Sequence, residues 1–137
     1  MTVVNKIMLI DDDDISNFIT ERKIKVSGIA EKIVICNSGA NALRLLNSYI
    51  QNAEDLPTII LLDINMPVMD GFGFLEEFTN LDFDRIKNIR IAMLTSSLEK
   101  EEVKKSYKYP QVIDFINKPL SEDKIRDIVK KINNLIS

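Results

Sequence analysis

The chain has 137 residues, 45% of them hydrophobic, with 18 basic and 21 acidic side chains and a formal charge of −3. That is room for one core, so a single domain over residues 1–137 is expected, and no dense basic stripe is present to neutralise a row of phosphates, which argues against nucleic-acid binding. One cysteine, Cys36, cannot form an internal disulfide, and the first apolar run stops at a wall of aspartates, too short for a secretory or membrane segment; a soluble, cytoplasmic chain with no membrane partner is predicted.

Short apolar runs alternate with longer stretches of helical period, the pattern of β-α units wound around a parallel sheet. The first predicted strand covers 6–10 and runs into Asp11, Asp12, Asp13 and Asp14. Asp14 is expected to cap a first helix whose apolar face carries Ile15, Phe18, Ile19 and Val26, with Gly28 ending it. A strand at 32–36, holding Cys36 as a small buried residue, leads to a helix capped by Ser38 with Ala42, Leu43, Leu46 and Ile50 on one side. The third strand, 58–62, delivers Asp63, and a short helix after the Asp70-Gly71 turn faces inward through Phe72, Leu75 and Phe78. A strand at 90–94 ends at Thr95. The segment 98–107 is mostly charged, with Val103 as its main apolar anchor, and is expected to be the most mobile element. The fifth strand, 112–116, precedes Lys118-Pro119, and a last helix opening at Ser121 spaces Ile125, Ile128, Val129, Ile132 and Leu135 at helical period. No repeat or low-complexity stretch interrupts this order.

In an open parallel sheet, ligands bind beyond the carboxyl ends of the strands. The aspartate run, Asp63, Thr95 and Lys118 each follow a predicted strand, so all four are expected along one edge. Singly, each has a plain structural explanation: an aspartate run before a helix complements its dipole, and Lys-Pro in a loop says little. Their ordered recurrence at strand ends is what points to chemistry. Clustered carboxylates repel one another unless a cation sits among them. Mg2+ suits hard oxygen ligands and takes few carboxylates, whereas zinc and copper find no histidine and a single cysteine. With that charge balanced, Asp63 is placed to attack phosphorus and form an acyl phosphate, and Thr95 to donate a hydrogen bond to the transferred group.

The residues that carry this chemistry are Ile10-Asp11-Asp12, then Asp63-Ile64-Asn65-Met66-Pro67-Val68-Met69-Asp70-Gly71, then Met93-Leu94-Thr95-Ser96, then Ile116-Asn117-Lys118-Pro119-Leu120. In that order they resemble the response-regulator receiver domain of two-component signalling, over essentially the whole chain. The resemblance implies a doubly wound, flavodoxin-like fold, a five-stranded parallel sheet flanked by five helices. It implies phosphorylation of Asp63 by a phosphohistidine donor, with Asp11 and Asp12 as the acidic pair. Mg2+ would contact Asp12, Asp63 and the carbonyl of Asn65, with Asp11 acting largely through water. Thr95 and Lys118 match the hydroxyl and the lysine that bind phosphoryl oxygens.

Phe115 fills the position of the family's switch aromatic, but it lacks the phenol of the commoner tyrosine and cannot latch an inward state by a hydrogen bond. A looser coupling of phosphorylation to the helix of residues 98–107 follows. Lys104 to Pro110 replaces the family's usual small residues before strand five, so the surface that meets partners is expected to differ there. Asn65 and Ser97, both small and polar, leave the acyl phosphate unshielded and short-lived.

The resemblance implies as partners a sensor histidine kinase or a histidine phosphotransfer domain docking near the first helix, and a protein target on the helices that follow strands four and five. The leading expectation is a stand-alone receiver with no attached output domain. Its alternative is a binding module of the same fold that acts without phosphorylation, against which the intact Asp11, Asp12, Asp63, Thr95 and Lys118 stand. A turnover phosphatase is disfavoured, because Asn65 stands where a general acid is needed and no covering cap has room.

Overall fold

The computed structural model describes residues 4–96 and 100–136. Five strands form one parallel sheet in the order β2-β1-β3-β4-β5. They are β1 (Val4–Ile10), β2 (Ala30–Cys36), β3 (Ile59–Asp63), β4 (Arg90–Thr95) and β5 (Val112–Asn117). The helices are α1 (Asp14–Ser27), α2 (Gly39–Tyr49), α3 (Gly71–Phe78), α4 (Phe83–Ile86), α5 (Lys100–Ser106) and α6 (Glu122–Ile136). Five of the six fall where the periodicity places them. The one-turn α4, capped by Asp82, and a 3-10 turn at Ala53–Asp55 are too short to leave a periodic signal.

Side chains alternate across a strand, and here the alternation divides the core in two. Met8, Ile10, Ile60, Leu62, Ile91 and Met93 face one layer, shared with Ala42 and Leu46 of α2 and Phe72, Phe74, Leu75 and Phe78 of α3. Ile7, Leu9, Ile59, Leu61, Ala92 and Leu94 face the other, with Ile125, Ile128, Val129 and Ile132 of α6. Burial on both faces is why β1, β3 and β4 are near-continuous apolar runs. Cys36 is buried as expected, and burial lifts its thiol to about 11, so it remains protonated at neutral pH.

The first helix departs from its predicted orientation. Ile15, Phe18, Ile19 and Val26 are 72%, 63%, 46% and 71% exposed, while the buried stripe is Asn17, Thr20, Ile24 and Ser27. That stripe also has helical period, and polar anchors select it. The cap is Asp13 rather than Asp14, its carboxylate accepting from the N–H groups of Ile15 and Ser16 at 3.0 and 3.2 Å. Asn17 then donates to the carbonyl of Asp11 at 2.8 Å, turning its own face toward the sheet. Gly28, at φ 68°, closes the helix with its N–H on the carbonyls of Ile24 and Lys25.

Ser38 caps α2 as expected, and Asp70, expected only as part of a turn, caps α3. Ser38 accepts from the N–H of Asn41 at 3.1 Å, and Asp70 from that of Gly73 at 2.8 Å. In α5 the expected anchor Val103 is only half-buried, and Ser106, fully buried, lies deeper in the fold. Leu135, the last predicted contact of α6, has a side chain outside the described residues.

Candidate phosphoryl-transfer site

The carboxyl ends of β1, β3, β4 and β5 converge on one edge of the sheet. Asp63 is the last residue of β3 and pairs with Leu94 of β4, so Thr95 lies one position beyond it on the neighbouring strand. Thr95 in turn pairs with Asn117, and its carbonyl accepts from the N–H of Lys118 at 2.7 Å. Lys118 therefore enters the site by continuing the ladder of β5, immediately before the cis Lys118-Pro119 bond. Asp11 follows β1 in the same way, its N–H on the carbonyl of Cys36 at 3.1 Å.

Asp11, Asp12 and Asp63 each offer a carboxylate oxygen within 4.8 Å of the others. Asp11 and Asp63 are buried and Asp12 is exposed, which leaves the cluster open to solvent on one side. The Lys118 ammonium bridges the buried pair, 2.6 Å from Asp11 Oδ2 and 3.5 Å from Asp63 Oδ1. Asp11 also accepts from the hydroxyl of Ser16 at 3.0 Å and from the N–H of Asp13 at 3.0 Å. Asp11 is thus held on both oxygens, while Asp63, at the strand end, points at the opening with Lys118 beside it.

Burial, and then the charge of Asp11, push the Asp63 carboxyl up from 3.8 to about 6, against the opposing pull of Lys118 and the N–H of Asn65. The lysine responds in kind. Burial draws its pKa down, but the hydrogen bond to Asp11 and the charges of Asp63 and Asp11 outweigh it, and the net shift is upward. One ammonium among three carboxylates leaves the cluster short of positive charge. A hard dication bound by carboxylate oxygens supplies what is missing, so the donor set fits Mg2+, and no thiol or imidazole stands near to recruit a softer metal.

Gly71 shows how tightly the loop after Asp63 is folded. Its N–H donates to the carbonyl of Ile64 at 2.8 Å, and a Cβ there would stand 2.9 Å from Ile64 Cα and 3.0 Å from the Asp63 carbonyl oxygen. Only glycine allows α3 to start so close to the acceptor strand. Between them Met69 donates to the carbonyl of Pro67 at 2.7 Å, a γ-turn centred on Val68 at φ 68°. A β-branched residue in that conformation is strained, and the Val68 side chain is fully exposed.

The structure brings together Asp11, Asp12, Asp63 and Lys118 by proximity and Thr95 by strand register, and places Asn65 beside Asp63 through its N–H rather than through the carbonyl expected as a ligand. Phe115 lies three residues before Lys118, half-buried against the α2/α3 layer. Ser97 lies outside the described residues. Sequence reading missed Ser16 and Asn17, whose side chains fix Asp11; their only signal is their place in the first turn after the aspartates.

A family model for the response regulator receiver domain matches residues 7–130. The chain belongs to that family. The receiver is 30% identical over 130 residues to the hybrid signal transduction histidine kinase L of Dictyostelium discoideum, a match covering 94% of this chain and 7% of the kinase. A two-component response regulator from Cytophaga hutchinsonii superposes with a TM-score of 0.89 at 30% identity, covering 96% of this chain and 98% of that one. The receiver domain of the histidine kinase CKI1 from Arabidopsis thaliana, solved with Mg2+ and BeF3−, superposes with a TM-score of 0.81 at 23% identity, covering 95% and 90% of the two chains, a likeness of fold. Among the described residues of this receiver, no helix is long and apolar enough to cross a membrane.

Proposed function

We propose that this receiver accepts a phosphoryl group from a phosphohistidine donor onto Asp63 and signals through protein contacts in the cytoplasm. The observation that carries the reading is the trio Asp11, Asp12 and Asp63 around one opening, with Lys118 bridging the two buried members. Asp11, Asp12, Asp63 and the carbonyl of Asn65 would hold Mg2+, which supplies positive charge against the oxygens of the transferred group.

A carboxylate oxygen of Asp63 attacks phosphorus as the bond to the donor imidazole nitrogen breaks; the freed nitrogen keeps the bonding electron pair, and the other ring nitrogen of the donor carries a proton. The product is an aspartyl phosphate and a neutral histidine. Lys118, already 3.5 Å from Asp63, is placed to pair with a phosphoryl oxygen, and the Thr95 hydroxyl to donate to another. Water attack on phosphorus returns the carboxylate and inorganic phosphate. Asn65 offers no bulk to screen that attack, so a short-lived phosphoprotein is expected. The reactions catalysed are the receiver's own phosphorylation and dephosphorylation.

The exposed face of α1 supports a helical protein donor, either a histidine kinase or a histidine phosphotransfer domain. Ile15, Phe18, Ile19 and Val26 form an apolar patch on a helix that begins at the site, and nothing among the described residues covers it. Beside it a 340 Å3 groove lies between Ile15, Ile19 and Thr20 on one wall and Leu94, Pro119 and Leu120 on the other, with Lys118 lining it too. An apolar side chain of the donor seated there brings its phosphohistidine to Asp63.

Intact-mass spectrometry after incubation with Mg2+ and a small phosphodonor tests the acceptor. A gain of about 80 Da, one phosphoryl group, is expected in the wild type and not in Asp63→Asn. If hydrolysis outruns labelling, a phosphorylated histidine phosphotransfer protein serves as donor. No gain with either donor would refute the proposal in favour of a module that binds partners without phosphorylation.

A further inference from the structure

The phenol that Phe115 lacks at the switch position occurs elsewhere in this chain, on the segment between α5 and β5. The hydroxyl of Tyr109 donates to the carboxylate of Glu76 on α3. One helical turn back from Tyr109, the Lys105 ammonium lies 4.4 Å from the ring centroid of Phe72, also on α3. Phe72 and Glu76 are four residues apart and share one stripe of α3; Lys105 and Tyr109 have the same spacing. Two matched pairs therefore join α3 to the α5 segment, one apolar and cationic, the other a hydrogen bond to a charged acceptor.

The α3 end of this clamp is fixed to the acceptor. Gly71, the residue before Phe72, is hydrogen-bonded to the carbonyl of Ile64 at 2.8 Å, and a Cβ there would crowd the backbone of Asp63 and Ile64. A displacement of the 63–65 backbone when Asp63 is ligated moves the start of α3, and Phe72 with it. α5 also packs against β5 and buries Ser106, while Val103 is half-buried and most of its described charged residues face solvent. The two pairs to α3 therefore act beside its β5 contacts in setting its position.

Resting on the assignment of Asp63 as acceptor, we infer that ligation of Asp63 is communicated to α5 through α3, by way of the Tyr109–Glu76 and Lys105–Phe72 pairs. Tyr109 and Glu76 are positioning residues in this account and touch no substrate. Phe115, with no hydroxyl, contributes packing alone.

The test is hydrogen exchange of the peptide spanning 100–109, read by mass spectrometry with and without Mg2+ and beryllium fluoride, in the wild type, Tyr109→Phe, Glu76→Gln and Lys105→Gln. Losing a hydrogen bond to a charged group is expected to speed exchange of this peptide by about fivefold in unligated Tyr109→Phe. Ligation should change its exchange in the wild type, and the change should fall by about half or more in Tyr109→Phe and Lys105→Gln. Glu76→Gln, which keeps an acceptor oxygen, should retain more of the response than Tyr109→Phe. Labelling of Asp63 by a small phosphodonor should proceed at the wild-type rate in all three variants. A full wild-type response in Tyr109→Phe and Lys105→Gln would overturn the inference, as would a ligation response confined to residues 61–71 of the wild type. Absence of any response at 61–71 would instead defeat the acceptor assignment itself, and this inference with it.

Discussion

Replacing Asp63 by asparagine is expected to make the metal-free protein more stable near pH 8 and to remove most of its response to Mg2+. In the folded chain the Asp63 carboxyl titrates at about 6, raised from 3.8 chiefly by burial and then by Asp11. The folded state thus binds this proton more tightly than the unfolded state, and stability is lost as pH rises through that window. The penalty is absent below about 3.8, grows toward 6 and is complete above it; two pKa units correspond to about 3 kcal/mol. Asparagine removes the charge but also the 3.5 Å contact with Lys118, which keeps its 2.6 Å partner Asp11. The net gain for Asp63→Asn is therefore about 1–3 kcal/mol near pH 8 and close to nil near pH 4. Mg2+ at about a hundred times its Kd should add about 2.7 kcal/mol to the wild type, and far less to a variant that lacks one of the three carboxylates. Urea unfolding in chelator and in Mg2+, at both pH values, reads all four quantities. A variant no more stable than the wild type in chelator near pH 8, or one with the same pH slope, would refute the electrostatic account of the site.

Lys118→Ala leaves the buried Asp11 carboxylate without its cation and should cost about 3 kcal/mol at neutral pH by urea unfolding, with part of the loss recovered in Mg2+. Phe18→Glu, on the exposed face of α1, should change stability by no more than about 0.5 kcal/mol while slowing phosphotransfer from a histidine phosphotransfer protein by about tenfold. Labelling by a small phosphodonor should be unaffected, and equal slowing with both donors would remove α1 from the docking surface. Phe115→Tyr should collect the aromatic into one inward state in the phosphoprotein, where relaxation-dispersion NMR of the wild type should show exchange between states; a single state in both would refute the looser coupling. Asp13→Ala should destabilise by about 1 kcal/mol and Asp14→Ala by much less, because the cap belongs to Asp13.

Strand placement, the candidate site and its donor chemistry were legible in the sequence alone. Strand placement was legible because β1, β3 and β4 are buried on both faces and show as unbroken apolar runs between polar segments. The site was legible because the chemistry requires particular side chains at the ends of those strands, and a parallel sheet aligns the strand ends on one edge. Asp63, Thr95 and Lys118 could be named before their distances were known. The donor chemistry was legible because a chain with no histidine and a single cysteine has mostly oxygen ligands to offer.

The tertiary structure decided what depends on competition between groups distant in sequence. Two stripes of α1 have helical period, and hydrophobicity favours the one carrying Ile15, Phe18, Ile19 and Val26. The Asp13 cap and the Asn17 bond to Asp11 turned the other stripe inward and left the apolar one facing solvent. The elevated pKa of Asp63 arises from the depth at which β3 ends and then from Asp11, 52 positions earlier in the chain. The pairing of Glu76 with Tyr109 likewise joins residues 33 apart, with no local pattern to announce it. Periodicity reports how a segment can fold; only the assembled sheet determines which neighbours each polar group meets, and so which face is buried and which proton is held.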